Sequence, residues 1–483
     1  MVYKYLIRYG GEIGTKNRPT RWNFIRKLGK NVESAIKVVL GPEIAASTTI
    51  NVNWDNITTH GPVELDAILT NIPGIKSFSL VHELQFEGFE KLIETAFELF
   101  KDEIGGRDFA VRCKRIGKHN FSKKDVEEAL GEKLLHLGKV NLSKPEITCF
   151  VEIRNNDVHL YSKKIPGMDG FPIGTQGKTL TMLSGGIDSP VAAWTIYRMG
   201  IEQVFVYFDL GGEDQLECIK NTYQILQKKW AAGSKSKLYI INFLPIIENI
   251  MTAKKSYQNL LLKYFFYKTA EKLGAYLKVD SLVTGESIGQ VSTQTLKNLT
   301  ALDQVISTMI VRPLAIHTKE EITKISEDIG TYDLSYKGKE YCALVAKNVT
   351  TGSSYENLMR EAEHLDLSLI DAALDQKLII KTGEDELLNT DSLPPVIPED
   401  SEVIDLRTTK ELKDFDLVNA RHVPFQEAWA DYVHWDKSNK YFLVCAEGSS
   451  SAILANYMKK DGYQVEHLKG GIKKLKAVQK TSP

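Results

Sequence analysis

Short stretches of alternating hydrophobic and polar residues predict β-strands in the first 166 residues, and stretches of helical period separate them. The strand patterns cover residues 3–10, 46–54, 75–80 and 109–117, and the helical patterns cover 23–38, 89–100 and 123–135. Residues 146–164 predict a β-hairpin that turns at Asn155, Asn156 and Asp157. Strands mixed with helices in this way predict an α+β region that ends near residue 166.

A different rhythm begins after residues 166–177, which are rich in Gly and Pro and predict a boundary loop. Apolar strands and helices then alternate through residue 312. This alternation is the signature of a doubly wound parallel sheet. The predicted strands are 178–183, 203–210, 238–244 and 280–284, and the predicted helices include 190–200 and 213–231.

An acidic, proline-containing stretch separates the last part of the chain from the rest. Residues 382–402 hold seven acidic side chains, three prolines and no Lys or Arg, a composition typical of a linker. A small α/β unit follows, with predicted strands at 401–406, 440–446 and 464–468 and a predicted helix at 449–462.

Length and charge narrow the class of protein. The 483 residues suit three or four domains, and the formal net charge of -1 provides no global attraction to nucleic acid. None of the five cysteines is in a CxxC pair, which argues against a zinc site, and so sparse a count argues against a secreted disulfide framework. The N-terminus has no apolar leader and no 18-residue apolar run occurs, so we expect a cytoplasmic location without membrane contact.

The strongest chemical signal is Ser184-Gly185-Gly186-Ile187-Asp188-Ser189, between a predicted strand and a predicted helix. Two glycines let backbone N–H groups approach phosphate oxygens, and the positive end of the next helix points at the same anion. Asp188 suits a Mg²⁺ ion beside the phosphates. The alternative is a glycine-rich strand-to-helix turn without a ligand. A Walker loop and a dinucleotide fingerprint are both absent.

Two further features suggest chemistry. Residues 107–124 hold seven Lys or Arg side chains and one Asp, a local net charge of +6 that suits RNA phosphates; the alternative is a solvated basic face. Cys445 ends a predicted strand just before a helix, where backbone N–H groups would stabilise a thiolate or persulfide anion. The alternative for Cys445 is a buried structural cysteine.

The phosphate-loop string resembles that of the ATP pyrophosphatase group, whose members adenylate a substrate and release pyrophosphate. Three more motifs narrow the resemblance to the tRNA uracil 4-sulfurtransferase family, the 4-thiouridine synthases that also serve thiamine biosynthesis. These motifs are RYGGEIG at 8–14, where one Gly is extra, GFPIGTQG at 170–177 and TGESIGQVSTQT at 284–295.

The resemblance implies a set of nucleotide contacts and makes Asp188 a catalytic residue and a Mg²⁺ ligand. The implied ATP contacts are Met182, Leu183, Ser184, Gly185, Gly186, Ser189, Tyr207, Phe208, Lys263, Gly285 and Gln294. Two of them depart from the family, which usually has His at Tyr207 and Arg at Lys263. Lys lacks the bidentate fork of Arg, so its contact would differ.

Two flanking regions resemble known modules. Residues 107–124 resemble part of a THUMP domain, which implies that Arg112, Lys114, Arg115 and Lys118 bind RNA. Motifs at 403–407, 420–424 and 468–472 resemble a rhodanese, which makes Cys445 the persulfide carrier, although Ser450 stands where many rhodaneses have Arg. The resemblance makes Cys342 a second catalytic cysteine that attacks the Cys445 persulfide or forms a disulfide with Cys445; its alternative is a buried apolar residue.

We therefore expect a multidomain α/β protein with a ferredoxin-like domain (1–58), a THUMP domain (59–166), an ATP pyrophosphatase domain (167–385), a linker (386–401) and a rhodanese-like domain (402–483). The expected reaction is ATP-dependent transfer of persulfide sulfur to C4 of a tRNA uridine through an adenylated intermediate. A cysteine desulfurase would donate the sulfur, and thiazole synthesis is a second role to consider. The alternatives are another pyrophosphate-loop tRNA thiolase and a non-catalytic RNA-binding sulfur carrier. The oligomeric state stays open, with a homodimer among the options.

Overall fold

A computed structural model describes most of the chain. The described residues are 2–210, 213–337, 350–381, 397–398, 400–409, 411–414, 417, 419–446, 448–468, 471–472 and 475. Cys342 and most of the predicted linker lie outside them. The chain divides into two compact units, the first of which holds residues 1–176, 197–201 and 228–234 and the second the remainder.

An antiparallel sheet forms the N-terminal part of the first unit. Its strands are β1 (Tyr3–Tyr9), β2 (Thr49–Val52), β3 (Ile57–Gly61) and β4 (Ile75–Leu80). Its helices are α1 (Gly11–Gly14), α2 (Arg18–Leu40), α3 (Pro42–Ser47) and α4 (Asp66–Leu69). The predicted strand at 46–54 is shorter, because α3 occupies its first residues. The sheet continues past residue 58, where the sequence suggested a domain boundary, because β3 and β4 both pair with β1.

Helix α2 is long because its ends and its apolar spacing both favour a helix. The Asn17 side chain accepts a hydrogen bond from the Thr20 N–H at 3.0 Å, and Pro19 occupies the first turn. Phe24, Leu28 and Val32 recur every four residues and are buried in one core with β1. The opposite face of α2 is therefore left to solvent.

A second sheet in the same unit has the order β5-β9-β8-β6-β7. Its strands are β5 (His82–Gln85), β6 (Asp108–Ile116), β7 (Lys139–Val140), β8 (Ile147–Arg154) and β9 (Asp157–Tyr161), and α5 (Phe89–Ile104) and α6 (Lys123–Leu134) are the helices of this region. Strands β8 and β9 form the predicted hairpin, with Asn155 in a left-handed conformation at the turn. Strand β10 (Ile165–Pro166) returns to the first sheet beside β4.

A six-stranded sheet in the order β15-β14-β11-β12-β13-β16 lies in the second unit, and the part of the chain around it is named here the six-stranded region. Its strands are β11 (Lys178–Met182), β12 (Glu202–Asp209), β13 (Lys237–Asn242), β14 (Ser281–Val283), β15 (Ile310–Val311) and β16 (Leu378–Lys381). The first five run parallel, so their carboxyl ends meet at one edge, where doubly wound folds bind ligands. Strand β16 is antiparallel and was not predicted.

The helices of this region connect and cover these strands. They are α7 (Asp188–Arg198), α8 (Glu213–Ile225), α9 (Leu244–Met251), α10 (Gln258–Leu277), α11 (Leu296–Asp303), α12 (Lys319–Ile329), α13 (Tyr332–Lys337), α14 (Tyr355–Ala362) and α15 (Leu369–Asp375). A π-helical turn (Leu226–Trp230) follows α8 within the predicted helix 213–231. Helix α10 buries residues along most of its length and is the central helix of the core.

The C-terminal region is a parallel sheet in the order β18-β17-β19-β20. Its elements are β17 (Glu402–Asp405), β18 (Arg421–His422), α16 (Phe425–Asp431), β19 (Lys440–Val444), α17 (Ser449–Lys460) and β20 (Gln464–His467). Its residues share one hydrophobic cluster with the six-stranded region. In the part of the chain described above, no helix combines the length and the apolar surface needed to cross a bilayer.

Candidate functional site

The phosphate loop is held closed by two serines at its ends. The Ser184 N–H donates to the Ser189 hydroxyl oxygen at 2.8 Å, and the two hydroxyl oxygens lie 3.1 Å apart. Ser189 is buried, whereas Ser184 and Gly186 are partly exposed. Helix α7 begins at Asp188, so its positive end faces the loop. The predicted residues Ser184, Gly185, Gly186 and Ser189 therefore form one compact turn at the carboxyl edge of the sheet.

Lys319 contacts this loop and was not among the predicted residues. Its Nζ atom lies 2.8 Å from Asp188 Oδ1. Lys319 follows Thr318, which caps α12 in a capping box with Glu321. Glu320 and Glu321 stand in the same first turn and balance the charge of Lys319 locally. No local pattern therefore singles out Lys319, and only the folded structure shows that it reaches Asp188.

Gly285 packs directly against the start of α7. A Cβ atom at this position would lie 2.6 Å from the Ser189 backbone nitrogen, closer than real Cβ contacts come. The loop that begins with Thr284 also runs beside the segment that leads to Lys319, since the Ser287 hydroxyl donates to the His317 carbonyl at 3.0 Å. One loop thus supports both the phosphate loop and the lysine opposite it.

Glu286, the next residue, is the centre of a buried ionic cluster. Its carboxylate accepts hydrogen bonds from Lys263 Nζ at 2.5 Å, Arg312 Nε at 2.9 Å and the Tyr267 hydroxyl at 2.5 Å. Burial alone would raise the pKa of Glu286, but the charges of Lys263 and Arg312 outweigh it and lower that pKa to about 2. The predicted ATP contact Lys263 is therefore paired with a carboxylate one residue from Gly285.

The remaining predicted nucleotide contacts serve mainly in packing. Met182 ends β11, and the Leu183 N–H continues the pairing by donating to the Val206 carbonyl at 2.8 Å. Tyr207 is buried, and the Phe208 ring stacks on Phe266 at 4.6 Å, which leaves backbone atoms for a nucleotide. The Gln294 side chain accepts a long hydrogen bond from the Ser287 N–H at 3.4 Å and closes its own loop. Their contact with ATP stays a prediction.

The basic stretch lies on β6 and the turn after it. Strand alternation puts Arg112 and Lys114, both exposed, on one face and Arg115 on the other. Arg112 donates to the Leu142 carbonyl at 2.6 Å, and Arg115 donates to the Gly117 carbonyl at 3.1 Å. Lys118 is exposed beyond the strand. The four residues do not form a single face, so Arg112 and Lys114 are the pair that the strand brings together.

Cys445 lies in a cradle of hydrogen-bond donors between β19 and α17. Its sulfur accepts from the Gly448 N–H at 3.1 Å and the Ser451 N–H at 3.4 Å, and the Ser451 hydroxyl oxygen lies 3.3 Å away. The residue is only 5% exposed, so donors and not bulk water surround the sulfur. Residues 445–451 include no Lys or Arg, so backbone dipoles supply the positive potential.

Three other cysteines are poorly suited to sulfur chemistry. Burial, reinforced by Glu127, raises the pKa of Cys113 to about 12, and burial raises the pKa of Cys149 to about 12. The Cys218 thiol donates to the Leu334 carbonyl at 3.0 Å. Since a thiolate is the reactive form, these residues act as structural cysteines at neutral pH.

Comparison with known families divides the chain into four matched segments. Residues 4–79 match the ThiI ferredoxin-like domain and residues 86–163 match the THUMP domain. Residues 174–367 match the family described as thiamine biosynthesis protein (ThiI), and residues 389–478 match the rhodanese-like domain. The matches follow the order of the four sheets along the chain.

Whole-length relatives are similar to the chain from end to end. It is 31% identical over 482 residues to a tRNA sulfurtransferase of Colwellia psychrerythraea, covering 95% of this chain and 98% of that protein. It is 30% identical over 480 residues to a tRNA sulfurtransferase of Yersinia pestis, with the same coverage of 95% and 98%.

Two solved structures resemble the chain over most of its length. A crystal structure of a 4-thiouridine synthetase–RNA complex with bound ATP superposes with a TM-score of 0.70 at 26% identity, covering 79% of this chain and 100% of that one. A protein of Pyrococcus horikoshii has the same fold over 68% of this chain and 99% of its own, with a TM-score of 0.54 and 23% identity.

Proposed function

The chain belongs to the tRNA sulfurtransferase (ThiI) family, and from that premise we propose that it uses ATP to replace O4 of a tRNA uridine with persulfide sulfur. One observation supports both halves of the reaction: a single compact unit contains the Ser184–Ser189 phosphate loop and the Cys445 cradle. ATP is the activating substrate, as in the RNA-bound 4-thiouridine synthetase that the chain resembles.

In the first step the uridine O4 attacks the α-phosphorus of ATP, the bond to the β-phosphate breaks, and pyrophosphate leaves. The loop N–H groups and the start of α7 bind the phosphates, and Lys319 is close enough to Asp188 to stabilise the negative charge that develops on pyrophosphate. The adenylated oxygen is then a good leaving group.

Asp188 is also the residue that suits Mg²⁺. The described residues include no cluster of three or more His, Cys, Asp or Glu side chains that could hold a metal on its own. One carboxylate beside a phosphate loop nevertheless fits Mg²⁺, which is usually bound by one or two carboxylates together with substrate phosphates. Bound there, the ion would neutralise phosphate charge, while Lys319 would have to release or share Asp188.

In the second step sulfur displaces AMP. The terminal sulfur of a Cys445 persulfide attacks C4, the C4–O bond breaks, and a Cys342 thiolate then cleaves the S–S bond to release 4-thiouridine. Alternatively, Cys342 attacks the persulfide first and liberates hydrosulfide, which attacks C4. Both routes end in a Cys342–Cys445 disulfide that a dithiol must reduce. The N–H donors around Cys445 support this role by stabilising sulfur anions.

A cysteine desulfurase is the proposed donor that recharges Cys445. No cation lies in residues 445–451, so the loop favours persulfide relay from a protein over binding of free thiosulfate. The matched family description also names thiamine biosynthesis, so sulfur supply to thiazole is a second proposed role.

Mass spectrometry of tRNA nucleosides tests the proposal. Unmodified tRNA is incubated with the full-length protein, ATP, a cysteine desulfurase and cysteine, and 4-thiouridine is expected. Asp188→Ala is expected to abolish ATP–pyrophosphate exchange with persulfide loading of Cys445 intact, because Asp188 lies at the phosphate loop. Cys445→Ser is expected to abolish persulfide loading at this position while ATP–pyrophosphate exchange stays intact. Thiouridine formation by either variant at the wild-type rate contradicts the proposed mechanism.

A further inference from the structure

The solvent face of α2 carries a row of cations and one aromatic ring. Arg18, Trp22, Arg26 and Lys30 are all exposed and recur every four residues, so they follow one ridge at a rise of about 6 Å per step. The sequence has no acidic residue between Glu12 and Glu33. Core packing does not require this face, since α2 buries the opposite one.

A second tryptophan extends the ridge. Trp54, between β2 and β3, stacks on Trp22 with ring centroids 6.2 Å apart and an angle of 27°. The Arg21 guanidinium lies 4.3 Å from the centroid of the Trp54 ring, and Arg21 also donates to the Trp54 carbonyl at 3.0 Å. Trp22 and Trp54 are 37% and 36% exposed. The rings are thus held in place before any ligand arrives, which lowers the entropy cost of binding.

Stacked rings among guanidinium groups are the features that recognise single-stranded RNA. Unpaired bases stack on aromatic faces and Arg planes, and flanking cations neutralise the phosphates. The ridge also connects to the basic stretch of β6 through Asp55, which pairs with Arg21 at 3.5 Å and with Arg154 at 3.3 Å. Arg154 in turn lies on β8 directly opposite Ile116, the last residue of β6. The charge of the ridge therefore favours RNA as its occupant.

We propose that Arg18, Trp22, Arg26, Lys30 and Trp54, named here the aromatic ridge, bind an unpaired segment of the RNA substrate. One base stacks against the tryptophan pair, and the cations along α2 bind the phosphates on either side. This inference rests on the proposed function, since the RNA in question is the tRNA to be modified, and it assigns a nucleotide-binding surface to the ferredoxin-like region.

Binding titrations of the full-length protein at several salt concentrations test the ridge. The ligands are unmodified tRNA and a single-stranded RNA oligonucleotide. Trp22→Ala and Trp54→Ala are each expected to weaken binding about tenfold, with the salt dependence unchanged, because stacking releases no counterions. Arg26→Ala is expected to reduce the slope of log affinity against log salt by about 0.7, the contribution of one single-strand phosphate. Trp22→Phe keeps a ring face and should restore part of the loss.

Tyr276→Ala is the matched control, since Tyr276 is an exposed ring on α10 with Lys377 over its face, and its loss should leave both affinities unchanged. Unchanged RNA affinity in Trp22→Ala and Trp54→Ala overturns the proposed role of the aromatic ridge. If these variants keep RNA binding but lose binding to the cysteine desulfurase, the ridge binds a protein and the proposal is overturned as well. If the wild-type protein forms no 4-thiouridine, the proposed function fails but the aromatic ridge does not, because the oligonucleotide titration still measures RNA binding by the ridge.

Discussion

Glu286 keeps its negative charge in a buried position because Lys263 and Arg312 both contact its carboxylate. Removing one partner of a buried ion pair leaves the other charge without compensation. Glu286→Gln should therefore lower the stability of the six-stranded region by about 3 kcal/mol at pH 7. Urea unfolding of wild type and variant, followed by intrinsic tryptophan fluorescence, tests this, and an unchanged midpoint would contradict it.

The lowered pKa of Glu286 also predicts that the stability contributed by its ion pairs depends on pH. The pKa of Glu286 is lowered from 4.5 to about 2 in the folded protein. A group whose pKa is depressed by folding contributes stability above its unfolded pKa and loses it as pH falls through the folded value. The stability difference between wild type and Glu286→Gln should thus be constant above about pH 5 and shrink progressively between pH 4.5 and about 2.

Lys319 should affect adenylation and not folding. It is exposed, so Lys319→Met costs little stability, but it removes the cation beside Asp188. Loss of one preorganised charge near a reacting phosphate typically costs about 100-fold or more in rate. ATP–pyrophosphate exchange should fall by that factor, while persulfide loading of Cys445 is unaffected. Lys324→Met, an exposed lysine on the same helix, is the control; equal activity of both variants would refute the role.

At the scale of elements, the turn before α17 determines how the sulfur is held. Gly448 has a φ of 91° and donates its N–H to Cys445, whereas Gly462, just after the same helix, has a φ of 88° and open space around it. Alanine at either position costs about 1–2 kcal/mol of left-handed strain. Only Gly448→Ala should also displace the N–H that donates to the Cys445 sulfur, and it should therefore lower the persulfide-loaded fraction of Cys445, which mass spectrometry measures. Equal loading in Gly448→Ala and Gly462→Ala would argue against the cradle.

Local patterns predicted the elements that depend on neighbouring residues. The alternation of apolar strands and helices predicted the parallel sheet, and the SGGIDS string predicted the tight turn between β11 and α7, because both signals lie within a few residues. Strand β16 was missed because its partner β13 lies far away in the sequence. Lys319 and Arg312 were missed for the same reason, since folding alone brings them to Asp188 and Glu286.

At the scale of the whole molecule, the second unit contains both of the sites that the proposed reaction brings together. The rhodanese-like region and the six-stranded region share one hydrophobic cluster, to which α9, α16 and α17 all contribute buried residues. The Tyr457 hydroxyl on α17 donates to the Leu244 carbonyl at the start of α9 at 2.9 Å, and both groups are buried. This bond joins the domain that carries Cys445 to the domain that contains the Ser184–Ser189 loop.

Tyr457→Phe should therefore slow sulfur transfer without impairing either half-reaction. Loss of the bond leaves a buried carbonyl unsatisfied, which costs about 1–2 kcal/mol, or roughly tenfold in the docked population. In single-turnover experiments with Cys445 already loaded as persulfide, 4-thiouridine should form several-fold more slowly, while ATP–pyrophosphate exchange and loading stay normal. Tyr463→Phe is the control, since it removes a buried hydroxyl that donates to the Tyr432 carbonyl at 2.7 Å within the rhodanese-like region alone. If both variants transfer sulfur at the wild-type rate, the docked arrangement is not the one in which sulfur moves, because a weakened interface then has no effect on the step that crosses it.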